Sequence, residues 1–272
     1  MIKNMEVVHE VSSKKSRGAI SKREWFSEWF NSPYYHILYK SRDNAEAHQF
    51  IDNLQKYFQF TCEDQILDLA CGRGRHAIYL NSKGFDVVGI DIAPENISYA
   101  KQFENERLHF YVHDMRRPYV RSRFCYVLNL FTSFGYFETE GENINAVCTV
   151  TEALKPGGKL ILDFFNTDRI LKNLKPHYRQ VIDGIQFDIQ KKLESGFIVK
   201  DIEFEDEGNS FHFQERVKAI SCEQFLHYFD VADLELISIF GDYALNPYDK
   251  ETSDRMIFVA QRPQRESFGL RL

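Results

Sequence analysis

The 272-residue sequence has no CxxC pair, no internal repeat or low-complexity segment, no excess of basic charge, and no apolar run near the roughly 18 residues that a membrane span needs. Each absence removes a class of protein. The five cysteines, Cys62, Cys71, Cys125, Cys148 and Cys222, are odd in number and scattered, which argues against a disulfide framework or a zinc site and for reduced thiols in a cytoplasm. Residues 1–30 hold no apolar core of a secretory leader, so a soluble, cytoplasmic protein is expected. With 34 Lys+Arg against 40 Asp+Glu the net charge is −6, and such a chain has no broad basic face for a nucleic-acid backbone. The local basic groups, Lys14, Lys15, Arg17, Lys22 and Arg23 in an N-terminal arm and Arg116, Arg117, Arg121 and Arg123 in one loop, read as solvated surface.

What is present is a globular composition, 43% hydrophobic and 27% charged, with 24 Phe and 14 Tyr. At this length one large α/β domain with a sizeable core is the natural reading. Two helices are expected before the first strand: Trp25, Phe26, Trp29 and Phe30 fall at helical spacing, Asn44–Phe58 repeats apolar residues three and four apart, and Pro33 separates the two. Short apolar strands then alternate with helical stretches: strands at Gln65–Ala70, Asp86–Ile90, Leu108–Val112, Cys125–Leu130 and Lys159–Phe165, with helices at Arg75–Lys83, Pro94–Glu104 and Glu140–Leu154. That alternation predicts a parallel sheet covered by helices on both faces. Beyond it, Tyr178–Leu193, Phe197–Glu205 and Phe211–Ile220 alternate apolar and polar residues around two turn signals, predicting three antiparallel strands. Ser221 and Gln224 form a capping box opening a helix over Cys222–Phe229, and Leu234–Gly241 and Met256–Gln261 close the chain as strands.

The segment ILDLACGRGRHAIYLNSKGFDVVGID, residues 66–91, carries the chemistry. Gly72 and Gly74 lie between a buried strand and a helix, where residues without Cβ let the backbone turn sharply and approach a ligand. Asp91 ends the next strand, where a carboxylate can accept both hydroxyls of a ribose. Gly72, Gly74 and Ala77 also satisfy the dinucleotide fingerprint, so an NAD-type oxidoreductase is a competing reading. Asp68, inside the strand just before the turn, is placed to hold an ammonium or a water and would repel a pyrophosphate.

DLACGRGRH resembles motif I of the class I S-adenosylmethionine-dependent methyltransferases, and LKPGGKLIL, residues 154–162, resembles that family's turn into its fifth strand. Tyr35, Tyr39, Arg42, His76, the Asp114-Met115-Arg116 run and LFTSFGYF resemble the subgroup that includes bacterial deoxyaminosugar N-methyltransferases. The resemblance implies a Rossmann-like fold, a seven-stranded, mostly parallel sheet with helices on both faces, and an antiparallel insertion after strand five. Residues 1–60 would then be an arm and helical lid, and 61–272 the methyltransferase domain with its insertion at about 177–220.

It further implies S-adenosylmethionine as cofactor, leaving as S-adenosylhomocysteine, with Tyr39 and Arg42 closing over the methionine end. Asp68, Ala70, Gly72 and Gly74 would form the floor, Asp91 would take the ribose, and Ile92, Asp114 and Met115 would take the adenine. Leu130 and Phe131 would flank the sulfonium. The (N/D)PP(Y/F) motif of adenine and glutamine methylases is missing, Cys125 lacks the preceding proline of the cytosine enzymes, and Asn129 stands where a metal-dependent catechol enzyme would need an acid. A small-molecule acceptor without a metal is therefore expected, an amine ahead of a hydroxyl, with no nucleic acid or membrane as partner.

Tyr136 and His177 are the candidate catalytic groups, with His36 and Asp163 as further pocket candidates. Tyr35, Phe131, Phe134, Tyr136, Phe137, Phe164 and Phe165 would form an aromatic cage suited to a cation. Because the sequence fixes no general base, a protein that binds the cofactor without catalysis is the reading from outside the enzymes. The insertion is expected to bury one face on the main domain as a roof over the pocket, or in a homodimer contact.

Overall fold

The computed structural model describes residues 25–40, 44–61 and 63–264. Arg42 and most of the N-terminal arm lie outside the described residues. The main sheet is built from β1 (Gln65–Leu69), β2 (Asp86–Asp91), β3 (Leu108–Val112), β4 (Phe124–Asn129), β5 (Leu154–Phe165), β10 (Glu235–Phe240) and β11 (Arg255–Gln261). Their order is β10-β11-β5-β4-β1-β2-β3, with β11 antiparallel to both neighbours and the other pairs parallel. The order reverses between β1 and β4, and such a switch point opens a crevice beyond the carboxyl ends of the strands.

Helices cover both faces, which is why the central strands read as continuous apolar runs. On one face α6 (Glu140–Ala153) and α8 (Cys222–Val231) place Val147, Val150, Phe225 and Phe229 against Val127, Leu160 and Phe258. On the other, α3 (Asn44–Phe58), α4 (Arg75–Ser82) and α5 (Pro94–Ala100) pack Phe50, Leu54, Leu80 and Ile97 on Ile66, Val87 and Phe110. The capping box at α8 is made as expected, Ser221 Oγ accepting from the Gln224 amide at 3.2 Å and Gln224 Oε1 from the Ser221 amide at 3.0 Å.

Three features depart from the sequence reading. Three helices precede β1: Pro33 opens α2 (Pro33–Leu38) directly after α1 (Trp25–Asn31), because its fixed φ suits the first helical position and Ser32 caps the turn. The insertion has four strands, β6 (His177–Ile182), β7 (Ile185–Glu194), β8 (Phe197–Asp206) and β9 (Asn209–Lys218), ordered in sequence. The run read as one strand folds back at Asp183-Gly184, both with positive φ (49° and 85°), as a two-residue hairpin demands. Last, α7 (Thr167–Lys172), capped by Asn166, was not foreseen.

The insertion sheet lays one face on the first two helices. Phe187, Ile189, Ile202 and Phe204 form a cluster with Trp29 and Leu38, and the partly buried Tyr35, Tyr39, Ile92 and Tyr136 pack against it.

Asp163, expected to face the pocket, is instead a fully buried clamp at the end of β5. Its Oδ1 takes Arg255 Nε at 2.8 Å and Nη2 at 2.7 Å, while Oδ2 takes the Phe131 amide at 2.7 Å and the Tyr243 hydroxyl at 3.2 Å. Removing one partner of a buried pair leaves the other charge uncompensated. Asp163→Ala should therefore lower stability by about 3–5 kcal/mol in urea unfolding, and a loss below about 1 kcal/mol would show that the pair is not a clamp.

Candidate active site

A cavity of about 250 Å³ lies at the switch point, under α1 and α2. The loop after β1 forms its floor. Ala70, Gly72 and Gly74 all have positive φ (60°, 57° and 82°), which turns the chain back across the strand ends. A Cβ on Gly72 would meet no heavy atom within 4 Å, so its backbone faces open space. Gly74 differs: a Cβ there would lie 2.7 Å from the Phe110 ring. It is a packing position, absent from the cavity lining, and the expected floor loses that residue.

Asp91 fastens this loop to the end of β2. Its Oδ2 accepts from the Gly72 amide at 2.9 Å and its Oδ1 from the Ala93 amide at 2.8 Å. Burial raises its pKa, against the lowering by the amides of Ala93, Gly72 and Ile92. Asp68, 1% exposed beneath the loop, has one hydrogen bond among the described residues, from the Ala77 amide at 3.2 Å. Burial pushes its carboxyl up to about 7; Asp91 adds to the rise, and the Ala77 amide and the charge of Arg75 offset only part of it.

Just beyond β3, burial works to raise the pKa of Asp114, but the hydrogen bonds and charge of Arg116 outweigh it and hold the carboxyl below its usual range. Arg116 reaches Oδ1 through Nε at 3.0 Å and Oδ2 through Nη2 at 2.6 Å, and Glu142 through Nη1 at 2.8 Å. Arg116 is thus engaged with two carboxylates and is not the solvated surface group expected. The Met115 carbonyl accepts from Thr149 Oγ1 at 2.6 Å, which fixes the backbone of that turn.

Opposite, Leu130 and the left-handed Phe131 follow the end of β4, Phe131 being stacked on His76 at 5.1 Å with the Arg75 guanidinium over its ring at 4.4 Å. Phe30, Tyr35, Tyr39, Tyr136 and Phe137 line the remaining wall. The Tyr136 hydroxyl donates to the Thr132 carbonyl at 2.5 Å.

Of the expected set, Tyr39, Asp68, Ala70, Gly72, Asp91, Ile92, Asp114, Met115, Leu130, Phe131 and Tyr136 line one cavity. His177 does not. It starts β6, half exposed, and pairs with Asp188 at 2.7 Å beside Arg179. Phe134, Phe164 and Phe165 belong to the main core, so about half of the expected aromatic cage faces the cavity.

Sequence reasoning left out Phe30, Arg73, Arg75, Asn96 and His113, which also line it. Asn96, 4% exposed in the first turn of α5, and His113, beside Asp114, had a usable signal in their places just after strand ends. Burial and the nearby Arg73 lower the pKa of His36 to about 4, against its hydrogen bond with Asn96, and burial with Arg75 and His48 lowers that of His76 to about 3.

Residues 66–158 match the family model described as a methyltransferase domain. A methyltransferase domain is thus matched over the strands and loops that build the floor, within a fold of the class I S-adenosylmethionine-dependent methyltransferase type. The match favours S-adenosylmethionine over the dinucleotide that the glycine loop also admits. The chain is 29% identical over 131 residues to dTDP-3-amino-3,4,6-trideoxy-alpha-D-glucopyranose N,N-dimethyltransferase of Streptomyces venezuelae, covering 47% of this chain and 54% of that one. The chain spans about half the length of the first curated relatives it matches, 54% of each. Over longer spans it is 28% identical to glycine/sarcosine N-methyltransferase of Halorhodospira halochloris, across 240 residues and 85% of each chain. Its fold is that of a S-adenosylmethionine-dependent methyltransferase from Clostridium acetobutylicum ATCC 824, with TM-score 0.71, 20% identity, and coverage of 85% of this chain and 96% of that one. No helix among the described residues is long and apolar enough to cross a membrane.

The floor fits this cofactor. Asp68 is a buried carboxylate with one long hydrogen bond, a site that a ligand ammonium would complete, and Asp91 presents lone pairs beyond those its two amides use. Asp91→Ala should weaken S-adenosylmethionine binding by about 2–3 kcal/mol in isothermal titration, the scale of charge-assisted hydrogen bonds. An unchanged affinity in the folded variant would remove the ribose assignment.

Asp68 gives a pH test with a definite sign. An ammonium partner lowers its pKa from about 7, so binding below that pH must expel a proton. S-adenosylmethionine affinity should fall as pH drops below about 7, approaching tenfold per pH unit, with proton release visible as a buffer-dependent heat. Adenosine, lacking the ammonium, should show no such slope, and Asp68→Asn should abolish it. A pH-independent affinity in the wild type would show that Asp68 does not meet the ammonium.

Proposed function

We propose that the protein transfers the methyl group of S-adenosylmethionine to the amine of a small molecule. The observation that carries this reading is the cavity itself: a cofactor floor at the switch point roofed by an aromatic wall in which the imidazoles of His36 and His76 are held neutral by burial. A sulfonium-bound methyl is already activated for in-line displacement, so the protein's share is alignment and removal of water.

The residues divide that work. Asp68 would hold the ammonium of the methionine end, Asp91 the ribose, Asp114 and Met115 the adenine edge, and Leu130 and Phe131 would exclude water beside the sulfonium. Tyr39 contributes to the wall over them. A hydroxyl acceptor needs a base to take its proton, and imidazoles with pKa near 4 and 3 are poor bases at neutral pH. An amine needs only to arrive unprotonated, among ring faces that attract its cationic form. The names of the two relatives above point the same way, since both act on amine nitrogen. Tyr136 is proposed as the acceptor-side contact, its hydroxyl oriented in the cavity wall by donation to the Thr132 carbonyl.

The test is turnover across a panel of amino sugars and amino acids. With an accepted amine, the rate should rise with pH to a plateau set by the acceptor's own pKa, and Tyr136→Phe should lower kcat/KM roughly tenfold, the loss of one hydrogen bond, while leaving S-adenosylmethionine affinity unchanged. Turnover of tRNA or DNA, or of hydroxyl compounds alone, would overturn the amine reading.

A further inference from the structure

A buried polar cluster joins the insertion to the helices above the cavity. Lys200 of β8 and Glu215 of β9 are directly paired across the two strands, so their side chains leave the same face of the sheet. Lys200 Nζ lies 3.5 Å from Glu215 Oε2, and the two side chains are only 10% and 14% exposed.

The pair meets two groups of the lid. The Trp29 indole N–H of α1 donates to Glu215 Oε1 at 2.7 Å. The hydroxyl of Tyr39, the residue that ends α2, lies 2.5 and 2.7 Å from the two Glu215 oxygens and accepts from Lys200 Nζ at 2.6 Å, with that ammonium 4.6 Å from the centre of its ring. Tyr39 also lines the cofactor cavity. A buried ion pair is a costly way to join two strands, since apolar side chains of the same size would avoid its desolvation. What apolar side chains could not supply is the set of hydrogen bonds to Trp29 and Tyr39, which belong to the lid.

We infer that Lys200 and Glu215 are positioning residues of the cofactor site: they fix Tyr39 in the cavity wall and so hold α1 and α2 closed over the floor. The inference rests on the methyltransferase reading for its consequence in binding, and on geometry alone for the hold on the lid. Neither residue needs to touch cofactor or acceptor; both act through Tyr39.

Three variants of the full chain test this: Tyr39→Phe, which removes only the hydroxyl; the paired change Lys200→Met with Glu215→Leu, which avoids stranding one charge; and Glu215→Gln, which keeps shape and one acceptor. Amide hydrogen exchange in α1 and α2 should quicken about tenfold in the first two, with β1, β4 and β5 unchanged, and the S-adenosylmethionine dissociation rate should rise by about the same factor. Glu215→Gln should fall between these and the wild type. Lid exchange within twofold of wild type in folded variants would overturn the inference. So would faster lid exchange with an unchanged dissociation rate, since the pair would then hold the roof without serving the cofactor. Should the wild type fail to bind S-adenosylmethionine, the functional reading fails, and lid exchange still decides whether the pair holds the lid.

Discussion

A parallel sheet brings the carboxyl ends of its strands to one edge, and at that edge the chain must turn sharply where a ligand is to bind. Here buried carboxylates hold the turns. Asp91 ties the left-handed loop after β1 to the end of β2 through the amides of Gly72 and Ala93. Asp163 does the same across β4 and β5, its carboxylate taking the Phe131 amide and its carbonyl the Thr132 amide, so that two consecutive left-handed residues without glycine's freedom are held in place. Such conformations are costly and persist only where surrounding bonds over-determine them. The cavity depends on these two residues, because the walls they shape are backbone as much as side chain.

Charge is distributed to match. Arg255 neutralises Asp163, which leaves that carboxylate structural, and Arg116 neutralises Asp114 in part. Among the described residues Asp68 has no such hydrogen-bonded cation, only the charge of Arg75 nearby, and its pKa is left near neutrality. Three acids near one crevice thus have three different roles, set by who their partners are. The one not ion-paired in this way is the one suited to receive a cation from outside.

The floor was legible in the sequence because its logic is local. Gly72, Asp91 and the strand-loop-helix run between them lie within 26 residues, and each has a backbone reason that pattern reading can state. What was misread depends on long-range contacts. Gly74 faces Phe110, far along the chain, so its need for glycine comes from its left-handed backbone and from packing, not from ligand approach. Asp163 meets Arg255 from 92 residues away, and nothing near position 163 signals that partner. His177 was misplaced because alternation in a strand tells which residues share a face but not which face meets the cavity. The fourth strand of the insertion, by contrast, was readable: Asp183-Gly184 is a strong two-residue hairpin signal of the same form as Ser195-Gly196 and Glu207-Gly208.

Floor and roof are also separate in their packing. The floor grows from the two clusters on either face of the main sheet, whereas the roof grows from a third cluster of the insertion strands with α1 and α2. Away from the places where the two touch, substitutions in one tend to act on stability independently of the other. On the function proposed above, acceptor preference would change through the roof, by altering which rings and polar groups of Phe30, Tyr35 and Tyr136 face the cavity, while Asp68, Asp91 and the loop between β1 and α4 would keep the proposed cofactor site. Within the cavity the two clusters meet at Ile92, which packs with the roof yet follows Asp91 directly, and at Tyr39, which is held by the insertion yet lines the floor's cavity. A change at either position would act on both halves, so the largest coupling between cofactor binding and acceptor choice is expected there and not at the more exposed rim.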